Sequence, residues 1–250
     1  MLEVAFYESG GGETIIITFP SGGIGIVDAH PSPTNSRPSI LELTRGKTIH
    51  FVCLTHPHAD HGADLVPVLE SYHQPVDFWH SIPESLRFFY GLSETPMFPS
   101  PVNDFVNQIR VGWANIFLDL FELTFVKPNV ATEQISETTA TKHIDGVEIC
   151  FFSPDLHTLR RFGNVLLDRA HSIGTELPSQ NLLSVIMLLK YDNSIVLLGA
   201  DALKSTWKQV RDRCHGKKIP KAMLFKVPHH GAENAFTGIR GYLDLCSTDP

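Results

Sequence analysis

Ile49–His61 reads IHFVCLTHPHADH, a mostly apolar run followed at once by a cluster of histidines. The run Ile49–Leu54 predicts a buried strand, because short apolar runs of this length suit one. After it, three imidazoles and one carboxylate fall within six residues, at His56, His58, Asp60 and His61. Imidazole nitrogens and carboxylate oxygens are ligands for zinc, and also for manganese or iron. The segment therefore predicts a metal site where a strand ends.

The spacing of the cluster indicates how two metals share it. His56 and His58 stand two residues apart, so on extended backbone both point to one side. Asp60 and His61 fall where the chain turns toward a predicted helix, and they are placed to serve a second metal nearby. A lone histidine is more often a packed core residue, but four ligand-type side chains directly after a strand make coincidence a poor explanation.

The composition is that of a globular chain. Its 250 residues, 42% hydrophobic and 19% charged, are enough for one large domain with a buried core. No apolar stretch reaches membrane-spanning length, and the N-terminus lacks the features of a signal peptide, so we expect a cytoplasmic protein without a membrane partner. Four cysteines without a CxxC pair favour reduced thiols, with Cys53 and Cys150 buried in strands.

The net charge of −7 argues against a surface that coats nucleic acid, because such surfaces are usually basic. It does not exclude a nuclease. Bound divalent ions supply positive charge at the site itself.

Hydrophobic patterning predicts two groups of strands separated by a middle segment that is hard to interpret. The strands are Leu2–Tyr7, Thr14–Phe19, Gly23–Val27, Ile49–Leu54 and Val76–His80, then Gly146–Phe152, Leu182–Lys190, Ser194–Gly199 and Lys221–Val227. The helices are Ser39–Thr44, Ala63–Tyr72, Pro101–Gly112 and Ala202–Cys214. Ala131–Thr141 is predicted to be a polar loop, and the aromatic stretch Trp113–Phe125 to pack in the core or in a lid. This order suits a sandwich of two sheets covered by helices.

The histidine cluster resembles the HxHxDH signature of the metallo-β-lactamase superfamily. The resemblance implies an α/β fold, the αβ/βα four-layer sandwich, as a single domain over residues 1–250 with an unmatched insert at about 82–142. It also implies two divalent metal ions, with zinc first and manganese or iron as alternatives. Asp201 ends a strand in the place of the family's bridging aspartate, and the pair His229 and His230 ends another in the place of its last histidine ligand.

Simpler interpretations of these downstream residues stay open. Asp201 also suits the N-cap of a helix over Ala202–Cys214, and the two histidines also suit a surface turn. We favour His230 as a metal ligand and His229 as a contact to the transition state or to a phosphate.

Two further roles follow from the resemblance. Asp28 stands where the family has an early aspartate beside the site, and either Asp28 or Asp60 is expected to orient the attacking hydroxide. The third ligand of the first metal has no clear motif. The candidates are His171, His157 and Asn181, although His171 is more simply a loop histidine.

Three other segments look like the ComEC-type branch of the superfamily. Residues 2–13 resemble its opening DVGQGD strand and loop, residues 181–185 its NxxSxV segment, and residues 225–231, FKVPHHG, its LKVPHHG segment. That branch implies a phosphodiesterase or nuclease with a dinuclear centre and a metal-bound hydroxide, acting on a phosphodiester such as DNA.

The chain departs from that branch at several positions. Gly11 and Glu13 replace its glutamine and aspartate, and His30 replaces a glycine. Only nineteen residues follow Gly231, where relatives continue, so we expect a piece of a larger multidomain protein or complex. Two other functions remain open: a hydrolase of the same fold that cleaves lactams or thioesters, and a non-catalytic metal-binding module.

Overall fold

The structure is a computed structural model that describes residues 1–8, 12–31, 38–83, 115–171, 178–214 and 221–226. In these ranges the strands form two sheets. The first has the order β1-β2-β3-β4-β5-β6, with β1 to β3 antiparallel and β3 to β6 parallel. Its strands are Glu3–Glu8, Glu13–Thr18, Ile24–Val27, Ile49–Leu54, Val76–His80 and Val130–Gln134.

The second sheet has the order β11-β10-β9-β8-β7. Its strands, in chain order from β7, are Lys142–Ile144, Val147–Phe151, Met187–Tyr191, Ser194–Leu198 and Leu224–Lys226. Neighbours in this sheet are antiparallel, except for the parallel pair β10 and β11.

Six α-helices accompany the sheets in the described ranges. They are α1 Ile40–Thr44, α2 Ala59–Gly62, α3 Leu65–Ser71, α4 Asn115–Val126, α5 Leu156–His171 and α6 Lys204–Cys214, with a 3₁₀ turn at Gln180–Leu183. A capping box starts α1: the Ser39 hydroxyl accepts the Glu42 N–H, and the Glu42 carboxylate accepts the Ser39 N–H. No helix in these ranges is both long and apolar enough to cross a membrane.

Three apolar clusters show how the elements are layered. Alternation along β2 sends Ile15 and Ile17 into the space between the sheets and Ile16 to the opposite face. That opposite face packs against α1, α3, α4 and α5, while the outer face of the second sheet packs against α6 through Trp207 and Val210. The order of layers is helix, sheet, sheet, helix. The predicted αβ/βα four-layer sandwich is confirmed.

Several local predictions are wrong in informative ways. The predicted loop Ala131–Thr141 begins inside the strand Val130–Gln134, whose polar side chains suit the edge of the sheet. The 3₁₀ turn delays β9 to Met187. His171 ends the helix α5 instead of lying in a loop.

Other sequence predictions have mixed outcomes. Cys53 is buried and free, whereas Cys150, also free, is only half-buried. The predicted helix Ala63–Tyr72 is divided into α2 and α3 and starts earlier, at Ala59. The aromatic stretch Trp113–Phe125 overlaps α4, whose Leu120 is fully buried. The predicted helix Pro101–Gly112 lies outside the described residues.

The parallel strands bring the predicted site residues together at one edge of the first sheet. Since β3, β4 and β5 run in the same direction, the segments that follow them meet at one edge. Asp28 directly follows β3, and the histidine cluster directly follows β4. In open sheets of this kind, ligands bind beyond the carboxyl ends of the strands.

Candidate metal centre

The backbone after β4 changes direction twice within a few residues. His56 and His58 are joined by a tight turn, in which the His58 N–H donates to the His56 carbonyl at 2.9 Å. His58 keeps an extended conformation as the N-cap of α2, and the short helix then returns His61 to the interior. As a result, the three imidazoles of one short segment face a common volume, with ring centroids 4.2 to 4.6 Å apart for the two pairs that include His56.

The first set of donors, which we call the histidine-pair group, contains His56, His58 and Asp201. The His56 Nε2 lies 3.0 Å from the His58 Nδ1 and 3.9 Å from the Asp201 Oδ2. His56 is fully buried, whereas His58 is partly exposed. The predicted convergence of His56 and His58 on one side is therefore present in the structure.

The second set, which we call the glutamate group, contains Glu13, His61 and Asp201. The His61 Nε2 lies 3.7 Å from the Asp201 Oδ1, and the His61 Nδ1 lies 4.0 Å from the Glu13 Oε2. All three side chains are buried. Asp60 stands beside them with its Oδ2 3.9 Å from the His61 Nε2, and about a third of its side chain is exposed.

Asp201 belongs to both groups. Its Oδ2 faces His56, and its Oδ1 faces His61. The turn before it contains Ala200 with φ of 45°, a left-handed conformation that costs a residue with a Cβ some strain. The helix α6 begins only at Lys204, so Asp201 is too far from it to be its N-cap. The helix-cap interpretation of Asp201 is wrong.

Asp28 orients the histidines of the site through hydrogen bonds. It is fully buried and has a φ of 55°. Its Oδ1 accepts the Thr55 N–H at 2.8 Å, and its Oδ2 accepts the Thr55 hydroxyl and the His61 Nδ1–H, both at 2.7 Å. The His61 Nε2 is thereby turned toward Asp201, as an outer carboxylate does for metal-binding histidines.

The same carboxylate sets the tautomer of His56 through Thr55. The Thr55 Oγ1 lies 3.1 Å from the His56 Nδ1. Because the Thr55 hydroxyl donates its proton to Asp28, its oxygen accepts a hydrogen from His56 Nδ1. The lone pair of His56 is then on Nε2, the atom that faces His58 and Asp201.

The pKa values of His56 and His61 are shifted in opposite directions. Burial, together with the nearby charge of His61, holds the pKa of His56 well below its usual range. Burial alone would also lower the pKa of His61, but the carboxylates of Asp28 and Asp201 outweigh it and raise the pKa to about 10. For Asp201, burial is outweighed by the hydrogen bond and charge of His61, and its pKa lies below its usual range.

Lys226, on β11 of the second sheet, forms hydrogen bonds at the site. Its Nζ donates to the Glu13 Oε2 and, at 3.2 Å, to the Ala200 carbonyl. Burial nevertheless raises the pKa of Glu13, although the charge of Lys226 opposes this.

The donors fit divalent metals. Each group offers imidazole and carboxylate atoms that all lie within 4.8 Å of one another. Bonds of about 2.0–2.2 Å to one ion place its ligand atoms up to roughly 4 Å apart. Small movements of the side chains would therefore let either group bind an ion. The histidine-pair group and the glutamate group are therefore the candidate ligands of two ions.

The structure brings together six residues that the sequence predicts for the site: Asp28, His56, His58, Asp60, His61 and Asp201. Among the candidates for the missing ligand, His157 is exposed in the first turn of α5, and Asn181 is buried in the 3₁₀ turn. His171 ends α5, and its side chain is outside the described residues. His229 and His230 are also outside them.

The sequence patterns do not predict that Glu13 or Lys226 belongs to the site. Glu13 was visible only as a departure from the ComEC-type pattern, and Lys226 only as part of the FKVPHHG segment. A usable signal was present in the alternation of β2, because Glu13 shares the inward face with Ile15 and Ile17. An acidic residue on an inward face requires a partner.

No protein-family model matches this chain, and no curated protein matches it. Among solved structures, it is similar to Zn²⁺-bound PqqB from Methylobacterium extorquens, with 16% identity over 74% of this chain and 51% of that chain, and a TM-score of 0.39. It is also similar to CmlA, a diiron β-hydroxylase from Streptomyces venezuelae, with 15% identity over 84% and 32% and a TM-score of 0.42.

A third similar structure is a mutant metallo-β-lactamase from Cronobacter sakazakii, with 13% identity over 96% of this chain and 90% of that chain, and a TM-score of 0.48. This chain spans about half the length of the PqqB chain and about a third of the CmlA chain.

Proposed function

We propose that this protein is a metal-dependent hydrolase that binds two divalent ions, one in each donor group, and cleaves phosphodiesters. The observation that carries the proposal is the position of Asp201. Its two carboxylate oxygens face two different histidines, so this one side chain could contribute an oxygen to each of two ions. Zinc suits the imidazole and carboxylate donors, and manganese or iron would also accept them.

Held by the histidine-pair group and the glutamate group, two divalent ions would acidify a water molecule and stabilise the charge that develops on the substrate. Residues of the chain orient the ligands and the attacking water. Asp28 and Thr55 hold the rings of His61 and His56, so that one nitrogen of each points into the site. Asp60 reaches solvent beside His61, and we assign to it the orientation of the attacking water.

The charge of the site favours an anionic substrate. The described part of the site contains four carboxylates, at Glu13, Asp28, Asp60 and Asp201, and one lysine, Lys226. With neutral histidines and two divalent ions, one formal positive charge is left. A phosphodiester carries one negative charge and is attracted to such a site. This supports a phosphodiester, which carries its charge on the group that is cleaved, over a lactam, whose reacting amide is uncharged, and DNA is our first substrate to test.

The test is a substrate panel with the purified chain loaded with Zn²⁺ or Mn²⁺. We expect cleavage of bis(p-nitrophenyl) phosphate or of labelled DNA, and no cleavage of nitrocefin or of a thioester. Asp60→Ala and Asp201→Ala should both abolish the activity, while Asp212→Ala, on the exposed face of α6, should not. Hydrolysis of nitrocefin or the thioester alone would contradict the substrate class, and a fully metal-loaded protein without hydrolytic activity would contradict the enzyme assignment.

A further inference from the structure

Lys226 introduces a positive charge into the glutamate group. It lies on β11, paired with Leu198 of β10, just before the turn that carries Asp201. Its neighbour Phe225 packs toward α6, so alternation points Lys226 into the space between the sheets. Glu13 reaches the same space from β2 of the first sheet, and the two side chains form an ion pair there.

This ion pair is shielded from water. Only 13% of the Lys226 side chain and 9% of the Glu13 side chain are exposed. In such surroundings the attraction between opposite charges is several times stronger than in water, and a carboxylate left without its partner is destabilising. The Glu13 oxygen that lies nearest to His61, Oε2, is also the one that accepts the hydrogen bond from Lys226.

We propose that Lys226 is an internal counter-ion that keeps Glu13 out of the metal ligand set, so that His61 and Asp201 are the members of the glutamate group that hold its ion. The histidine-pair group then binds its ion first, and the glutamate group binds its ion second and more weakly. The glutamate group contains two carboxylates, but that of Glu13 is already neutralised by Lys226, which also donates a hydrogen bond to the Ala200 carbonyl. The inference rests on the proposed function only in requiring that the site bind divalent ions.

A second Lys–Glu pair provides a matched control. Lys142 of β7 and Glu133 of β6 also connect the two sheets, at the opposite margin of the sandwich, with Nζ 2.7 Å from the carboxylate. This pair is more exposed than the first, and neither of its members belongs to a donor group. Replacing Lys142 therefore removes the same type of interaction without changing the charge of the metal site.

The experiment is calorimetric titration of the metal-free full chain with Zn²⁺, repeated with Mn²⁺ and followed by electron paramagnetic resonance. We expect two binding steps in the native chain. In Lys226→Met, the loss of the positive charge and the release of Glu13 should lower the Kd of the second step at least about tenfold. The metal-free variant should melt at a lower temperature, and added Zn²⁺ should raise its Tm more than it raises that of the native chain.

Three further variants separate charge from folding. Lys226→Met combined with Glu13→Gln should return the second Kd toward the native value, because no carboxylate is released. Glu13→Gln alone should still bind two ions per chain. Lys142→Met should leave both steps unchanged.

The outcomes distinguish this inference from the proposed function. A second Kd that is unchanged or larger in Lys226→Met overturns the inference, and so does the loss of one ion from Glu13→Gln, which remains decisive if Lys226→Met does not fold. A native chain that binds two ions as inferred but cleaves no substrate overturns the proposed function alone. A native chain that binds no ion overturns both.

Discussion

The two donor groups share Asp201, but they prepare their histidines differently. In the histidine-pair group, two imidazoles come from a single turn, and burial keeps His56 deprotonated because it lowers the pKa of that ring. In the glutamate group each member comes from a different element, and the carboxylates around His61 raise its pKa to about 10. One group therefore offers ready lone pairs, whereas the other must first lose a proton. Neighbouring ligand sets in one pocket can therefore bind ions with different affinities.

Removing the shared residue should have the largest effect. Asp201→Ala takes a candidate ligand from both groups, so we expect less than one ion per chain and a fall in the proposed phosphodiesterase activity of about 10³-fold or more. Metal content by mass spectrometry and initial rates would measure this. Retention of two ions would contradict the bridging position of Asp201.

Breaking one group at a time should remove one ion at a time. His58→Ala disrupts the histidine-pair group and should leave one ion per chain, held by Asp201 and His61. His61→Ala should have the converse effect. The control is His157→Ala, an exposed residue of α5, which should retain both ions. Loss of an ion from this control would make His157 a ligand and require a different arrangement.

Asp28 connects the two groups, so its replacement should weaken both. Asp28→Asn removes the carboxylate that orients His61 directly and His56 through Thr55. Outer carboxylates of this kind contribute about 10–100-fold to metal affinity, and we expect a loss of that size in both binding steps. Calorimetric titration would measure it, with Asp77→Asn on the exposed side of β5 as the control. An effect confined to one step would show that the connection through Thr55 is weak.

A change of pH should alter the metal affinities of the two groups differently, without any mutation. Because the pKa of His61 is raised to about 10, this ring is protonated at pH 7 and must release a proton when it binds an ion. The affinity of the glutamate group should thus increase about tenfold per pH unit between pH 7 and 9. His56, whose pKa is lowered, is already neutral there, so the other step should change little. Titrations in buffers of different ionisation enthalpy count the protons, and equal pH dependence of both steps would refute this contrast.

The smallest effect is expected for Thr55→Val, which removes only the hydroxyl between Asp28 and His56. The direct bond between Asp28 and His61 remains. We expect a few-fold loss of affinity in the histidine-pair group and none in the glutamate group, measured in the same titration. An equal loss in both would indicate a general change of the backbone at this position.

Local sequence predicted the strands near the site well, and the reason is physical. Ile49–Leu54 is a mostly apolar run buried on both faces, and Val76–His80 is buried at every position except Asp77, so their pattern alone predicts them. The strand Val130–Gln134 was missed because it is polar at a sheet edge, where packing against the rest of the fold outweighs the local signal. The helix α5 was also missed, although its buried residues Leu159, Phe162 and Leu166 follow helical spacing, which is a local signal.

The local sequence is enough to predict the type of chemistry. Three imidazoles and a carboxylate within six residues, directly after a buried strand, indicate a metal site because the ligands lie close together in the chain. The resemblance to a known family adds Asp28 and Asp201 to this site, whereas Glu13 and Lys226 join it only through the folding of the chain. Glu13, Asp28, Asp201 and Lys226 meet there because the strands that precede or contain them end at the same edge of the sandwich, and no local pattern encodes a contact between residues more than two hundred positions apart, such as Glu13 and Lys226.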